Sequence, residues 1–337
     1  MIRPRDPEKY THMTQFTAPT LPPEFDVALD PPDLSGWIKG NTGIPGVTSL
    51  DSGKPGPHVA LLALTHGNEF AGAIALDRLL RADFIPAIGR LTVAFVNLTA
   101  FQRFDPRNPT ASRFIDEDLN RVWDEAVLDG PRHSIELDRA REIRPLIDTV
   151  DVLLDLHSML WPSCPLNLCG SSDKGRRLAE GIGSPSLVVA DRGHQNGRRI
   201  IDYTRFTNPE TLCVANLVEA GQHWEGATVT NALDSIAGLL RLLGLAAPRH
   251  TMLPIHSRAR TRSAVVTSTI TVATTSFHFV QPYQGGEVIR ARNTLIAQDG
   301  EAEIRTPYDD CLLVMPSLRP SKGHTAVRLA RFENTDG

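Results

Sequence analysis

From His58 to about residue 245 the chain alternates short apolar runs with stretches of helical spacing, and few architectures accept that pattern. His58–Thr65 (HVALLALT), Arg90–Asn97 (RLTVAFVN), Val150–Leu156 (VDVLLDL), Ser186–Ala190 and Leu212–Val218 are apolar and rich in β-branched residues. Runs of this kind suit strands buried on both faces. Glu69–Leu80 and Ser134–Thr149 have the spacing of helices, and Val229, Leu233, Ile236, Leu240 and Leu243 form the apolar stripe of a longer helix that closes near Gly244. Strands alternating with helices predict an α/β domain, its central mixed but mainly parallel sheet flanked by helices.

The flanks differ. Residues 1–50 hold Pro-Pro pairs at Pro22–Pro23 and Pro31–Pro32 and read as an extended lead-in with one or two short strands. After Pro248, residues 262–280 are rich in Thr, Val, Ser and Ile, and turn signals follow at Gly285–Gly286, Asp299–Gly300 and Asp309–Asp310. The expected organisation is an α/β domain over 1–247 and a smaller all-β domain over 248–337, with the boundary near 246–255. A net charge of -4 argues against nucleic-acid or anionic-membrane partners. No apolar run is long enough to span a bilayer, and MIRPRDPEKYTHMTQF lacks the apolar stretch of a signal peptide. A cytoplasmic location is expected, with Cys164, Cys169, Cys213 and Cys311 as reduced thiols; homo-oligomerisation is left open.

Three apolar runs end in residues able to do chemistry: His66-Gly67-Asn68-Glu69, Asp155-Leu156-His157-Ser158 and Glu219-Ala220-Gly221-Gln222. Ligands of open α/β sheets bind beyond the carboxyl ends of the strands, so parallel strands would gather these residues at one edge. A catalytic zinc takes three protein ligands, commonly His with Glu or Asp, and keeps one position open. His66, Glu69 and His157 fit that set with one Zn2+ per chain, and Glu219 remains as the carboxylate a zinc hydrolase needs as general base. Each has a bland alternative: HxxE strings arise by chance, His157 suits a hydrogen-bonded structural histidine, and Glu219 suits a helix cap. Only their joint placement favours a site. Between them, RFIDEDLNRVW (113–123) places two arginines and an asparagine around acidic residues, suited to a carboxylate or an oxyanion. By itself that segment also fits a solvated charge cluster.

The strings THGNEFAG, RFIDEDLNRVW, DLHS and VEAGQH together resemble the succinylglutamate desuccinylase/aspartoacylase family of the zinc carboxypeptidase superfamily. The likeness covers roughly residues 58–245 and implies a zinc-carboxypeptidase-like fold. It implies His66, Glu69 and His157 as zinc ligands, Glu219 as the base that passes its proton to the leaving amine, and Arg113 as the group on the scissile carbonyl. It further implies Asn120 and Arg121 as the grip on a substrate carboxylate, and Asp118 as the acid orienting a ligand histidine. The segment GGEVIRARNTLIAQDGEAEIRTPYDDCLLVM resembles the family's C-terminal β-domain, which can lend a tyrosine to the site, and Tyr283 is the candidate.

The resemblance implies a zinc-dependent amidohydrolase that deacylates an N-acyl amino acid or a related small carboxylate-bearing amide. Alternatives are a metallocarboxypeptidase acting on short peptides, a deacetylase of an N-acetylated diamino acid, and a non-catalytic zinc protein. The last would be expected to lack the base or the oxyanion arginine. Two departures stand out: Pro209 sits where some members carry an arginine, with Arg205 as the nearest substitute, and Met159-Leu160-Trp161 is unusually apolar for a site dedicated to small dicarboxylates. No GxSxG elbow, phosphate-binding GxxxxGK[ST] loop or complete GxGxxG occurs.

Overall fold

The computed structural model describes residues 25–333 except 195, 248, 249, 251, 252 and 255–259. The lead-in over 1–24 and part of the expected boundary at 246–255 lie outside the described residues. The strands are β1 (Val47–Asp51), β2 (His58–Ala63), β3 (Arg90–Phe95), β4 (Val152–Met159), β5 (Leu166–Leu168), β6 (Leu187–Ala190) and β7 (Val214–Gln222). After the last long helix come β8 (Arg262–Thr271), β9 (His278–Phe279), β10 (Val288–Ile289), β11 (Leu295–Asp299), β12 (Ala302–Arg305), β13 (Cys311–Val314) and β14 (Thr325–Phe332).

The central strands β3, β2, β4 and β7 lie side by side and run parallel. Every residue of β2 and β4 is buried, as expected for strands covered on both faces. Val59, Leu61 and Ala63 face one side, where the helices Ala71–Arg81 and Gly226–Leu242 pack; Ala60 and Leu62 face the other, against Leu137, Ala140 and Ile143 of the helix Ile135–Ile147. Gly72 permits the first of these contacts, since a Cβ there would lie 2.8 Å from that of Leu156. The long helix ends as expected, at Gly244 with φ +74°.

The C-terminal strands do not stand apart. β6 pairs with β8 in parallel, and β8 pairs with β14, so the central sheet continues without a break into the strands that follow residue 260. A three-stranded sheet, β12-β11-β9, completes this part. The antiparallel β5 inserts between β7 and β6, which makes the large sheet mixed. No described helix is long and apolar enough to cross a membrane.

Candidate metal centre and its cavity

The adjacent strands β2, β4 and β7 deliver the site. Their register sets Ala63 beside Leu156 and His157 beside Glu219, so the three expected strand ends converge. His66 and Glu69 follow on the turn after β2. Gly67 between them is required by crowding, because a Cβ there would lie 2.5 Å from backbone atoms of Ala100, Phe101 and Ser112. Its N–H donates to the Arg113 carbonyl at 3.0 Å, tying the arginine loop to the ligand turn.

His66, Glu69 and His157 are buried, and one donor atom from each lies within 4.8 Å of the other two. Glu69 Oε1 lies 2.8 Å from His66 Nδ1 and Glu69 Oε2 3.0 Å from His157 Nδ1. The far nitrogens are engaged by carboxylates: His66 Nε2 lies 2.8 Å from Asp118 Oδ1, and His157 Nε2 2.7 Å from Asp155 Oδ2. This is the support that orients metal-binding imidazoles and directs the opposite nitrogen inward. His66 Nδ1 is buried and makes no aligned hydrogen bond among the described residues. Two imidazoles and a carboxylate around an unsatisfied buried nitrogen fit a divalent metal of the zinc type.

Burial alone would raise Asp118, but His66, Arg113 and Arg121 hold it well below the usual carboxylate range. Asp155 is completely buried and also accepts a hydrogen bond from Thr65 Oγ1 at 2.9 Å. Glu219 is buried, and its Oε2 has no hydrogen-bond partner among the described residues. Burial, followed by the charge of Glu69, pushes Glu219 up to about 8 against the pull of His157 and Arg113.

The arginine loop is held from below. Buried Glu136, in the first turn of the helix Ile135–Ile147, accepts backbone N–H bonds from Ile115, Asp116 and Glu117 at 2.7, 3.0 and 3.2 Å, and a bond from Asn97 Nδ2 at 3.1 Å. Arg113 then reaches Glu69 at 2.7 Å and Asp118 at 3.4 Å. Asn120 accepts from Ile200 N at 2.9 Å, and Arg121 pairs with Asp118 at 3.7 Å.

His66, Glu69, His157, Glu219, Arg113, Asp118, Asn120 and Arg121 line one cavity of about 550 Å³, within the range of small-molecule sites. Its lining includes the apolar side chains of Phe114, Met159, Leu160 and Trp161 and a group of neighbouring basic residues, Arg121, His194, Arg199 and Arg328. Trp161 is steadied by Phe25, whose ring lies 5.4 Å away and 5.7 Å from that of Trp224.

All the expected site residues except Tyr283 meet here. Tyr283 is 3% exposed and packs in a separate apolar cluster with Ile296 and Leu313, its ring 5.8 Å from that of Phe279, so it does not line the cavity. Arg205 is also elsewhere, donating to the Val150 carbonyl at 2.7 Å, just before the start of β4. Residues missed by the sequence reading include Asp155, Glu136, His194, Arg199, Arg328 and His223. His223 Nδ1 lies 2.8 Å from Ser158 Oγ, and burial lowers it to about 4. The available signal was a charged residue inside a buried apolar run, as in VDVLLDL and TAVRLARF.

Several solved structures share the fold. The succinylglutamate desuccinylase of Vibrio parahaemolyticus is 18% identical, with a TM-score of 0.64 over 86% of this chain and 86% of its own. A succinylglutamate desuccinylase/aspartoacylase from Rhodobacter sphaeroides is 19% identical, with a TM-score of 0.62 over 85% and 89%. The product-bound ectoine utilization protein of Ruegeria pomeroyi is 16% identical, with a TM-score of 0.60 over 84% and 88%. No curated protein matches the chain in sequence. Residues 55–173, which hold His66, Glu69, Arg113, Asp118 and His157, match the family described as the Succinylglutamate desuccinylase/Aspartoacylase catalytic domain.

Proposed function

We propose that the protein is a zinc-dependent amidohydrolase that removes the acyl group from an N-acyl amino acid or a related small carboxylate-bearing amide. The observation that carries this reading is the buried His66–Glu69–His157 group with Glu219, whose Oε2 has no hydrogen-bond partner among the described residues, beside it in one cavity. When bound, zinc supplies Lewis-acid polarisation and a lowered pKa for water. Glu219 Oε2 takes the proton of the attacking water and returns it to the leaving nitrogen. Arg113, partly exposed on the cavity wall, donates to the oxygen of the scissile carbonyl as its charge develops. Arg121 orients the substrate carboxylate, and Asn120, bonded to Ile200 N, fixes the loop that presents it. Asp118 and Asp155 keep the two ligand imidazoles in the metal-binding tautomer.

The test is hydrolysis by zinc-loaded protein across a panel of N-acyl amino acids varied in acyl length and side chain, with dipeptides and N-acetylated diamino acids alongside. Release of free amine from one N-acyl class, abolished by Glu219→Gln, is expected. Turnover of dipeptides alone would replace deacylation by peptide hydrolysis, and no turnover of any amide would overturn the reading.

A further inference from the structure

We propose that Arg328, supplied by the C-terminal strand β14, is a substrate-anchoring residue that receives a ligand carboxylate together with Arg121. The identification of that ligand as the amide substrate rests on the proposed function, whereas carboxylate binding at Arg328 does not.

Arg328 is an anomaly in its strand. Ala326, Val327, Leu329 and Ala330 around it are at most 2% exposed, and Arg328 itself is only 4% exposed. A guanidinium in such a position is costly unless its charge is met. It is also rigidly placed, since its residue pairs with Thr269 of β8 on one side and Val314 of β13 on the other.

Among the described residues its partners leave that charge poorly compensated. Its shortest bond, 2.7 Å, goes from Nη2 to Nε2 of His194. Burial and the nearby Arg121, Arg328 and Arg199 lower His194 to about 2, so the imidazole is neutral and brings no charge. The nearest carboxylate contact is Asp191 at 3.9 Å, and Asp191 already forms a two-pronged pair with Arg199 at 2.7 and 3.0 Å. Arg121 is in a similar state. Its carboxylate, Asp118, lies 3.7 Å away and is shared with His66 and Arg113. Burial lowers Arg121 to about 10, and the repulsion of Arg113, Arg199 and Arg328 adds to that against Asp118. One buried and one half-buried guanidinium lining the same cavity therefore compete for carboxylates committed elsewhere. Planar forks of this kind match a carboxylate, and a ligand would supply the missing negative charge.

The test is calorimetric titration of succinate into the zinc-loaded protein and into chelator-treated protein, for wild type, Arg328→Gln and Arg328→Lys. Saturable binding by wild type is expected, about tenfold weaker in Arg328→Gln and intermediate in Arg328→Lys, which keeps the charge but loses the fork. On the best amide from the hydrolysis panel, Arg328→Gln should raise KM far more than it lowers kcat. The carboxamide counterpart of that substrate should be unaffected, an outcome that lost packing would not produce. No succinate binding by wild type, or unchanged binding in Arg328→Gln, overturns the proposal. Should Arg328→Gln fail to fold, unchanged affinity in Arg328→Lys overturns it instead. Arg328-dependent succinate binding without amide hydrolysis would leave this inference standing and remove the proposed function.

Discussion

The two polar corners of the cavity are built in opposite ways. The metal corner gathers His66, Glu69 and His157 from adjacent parallel strands, with Glu219 directly beside His157 in the register. The arginine corner gathers Arg121 from the short 3-10 helix Leu119–Arg121, Arg199 from just before Ile200 and Arg328 from a strand of the C-terminal part. The first is determined by the most buried, continuous part of the sheet, the second by how distant segments close over it. Under the proposed function, chemistry belongs to the scaffold's centre and recognition to its extension, which is where substrate preference would change without disturbing the metal.

Substitutions can break or sharpen this contrast. The largest effect is expected for Glu219→Gln, with kcat lowered about 10²- to 10⁴-fold, zinc retained and KM little changed, read by steady-state kinetics beside metal analysis. Loss of zinc in that variant would move Glu219 from proton transfer to metal binding. Next, Asp155→Asn should weaken zinc about 10- to 100-fold in competition with a chromophoric chelator while the fold persists, because His157 would lose the partner that sets its tautomer. An unchanged affinity would mean that the metal corner needs no support beyond its ligands. Glu136→Ala leaves three loop N–H groups without their acceptor and should cost about 1–3 kcal/mol in denaturant unfolding. The smallest effect is expected at the apolar wall. Trp161→Ala should change kcat/KM by only a few-fold, but unequally between short and long acyl chains, about 1–2 kcal/mol of discrimination at most. Equal effects on all acyl lengths would show that this wall does not read the acyl group.

The same contrast explains what was legible in the sequence. The ligands stand where apolar runs stop, so periodicity alone finds His66, Glu69, His157 and Glu219, and a parallel sheet brings them together. Asp155 is harder to find, because it lies inside a run that reads as pure core. Two residues before His157 on a strand, it faces the same side and can reach the ring, a relation visible only once the strand is certain. Arg328 is hidden in the same way within β14. Its contact with the cavity depends on β8 joining β6, a pairing between segments more than 70 residues apart that local pattern does not encode. That pairing also joins the C-terminal strands to the central sheet. Tyr283 shows the reverse error. A resemblance suggested a tyrosine from the C-terminal part, but this one is locked among Phe279, Ile296 and Leu313, while Arg328 is among the C-terminal residues that line the cavity.

The central claim is that His66, Glu69 and His157 hold one zinc ion. Elemental analysis of zinc-saturated, desalted protein tests it directly, with wild type compared against His66→Ala and His157→Ala and folding checked by circular dichroism. One zinc per wild-type chain, falling to near zero in both folded variants, is the expected result. A wild-type chain that retains no zinc, or folded variants that retain it in full, would contradict the claim.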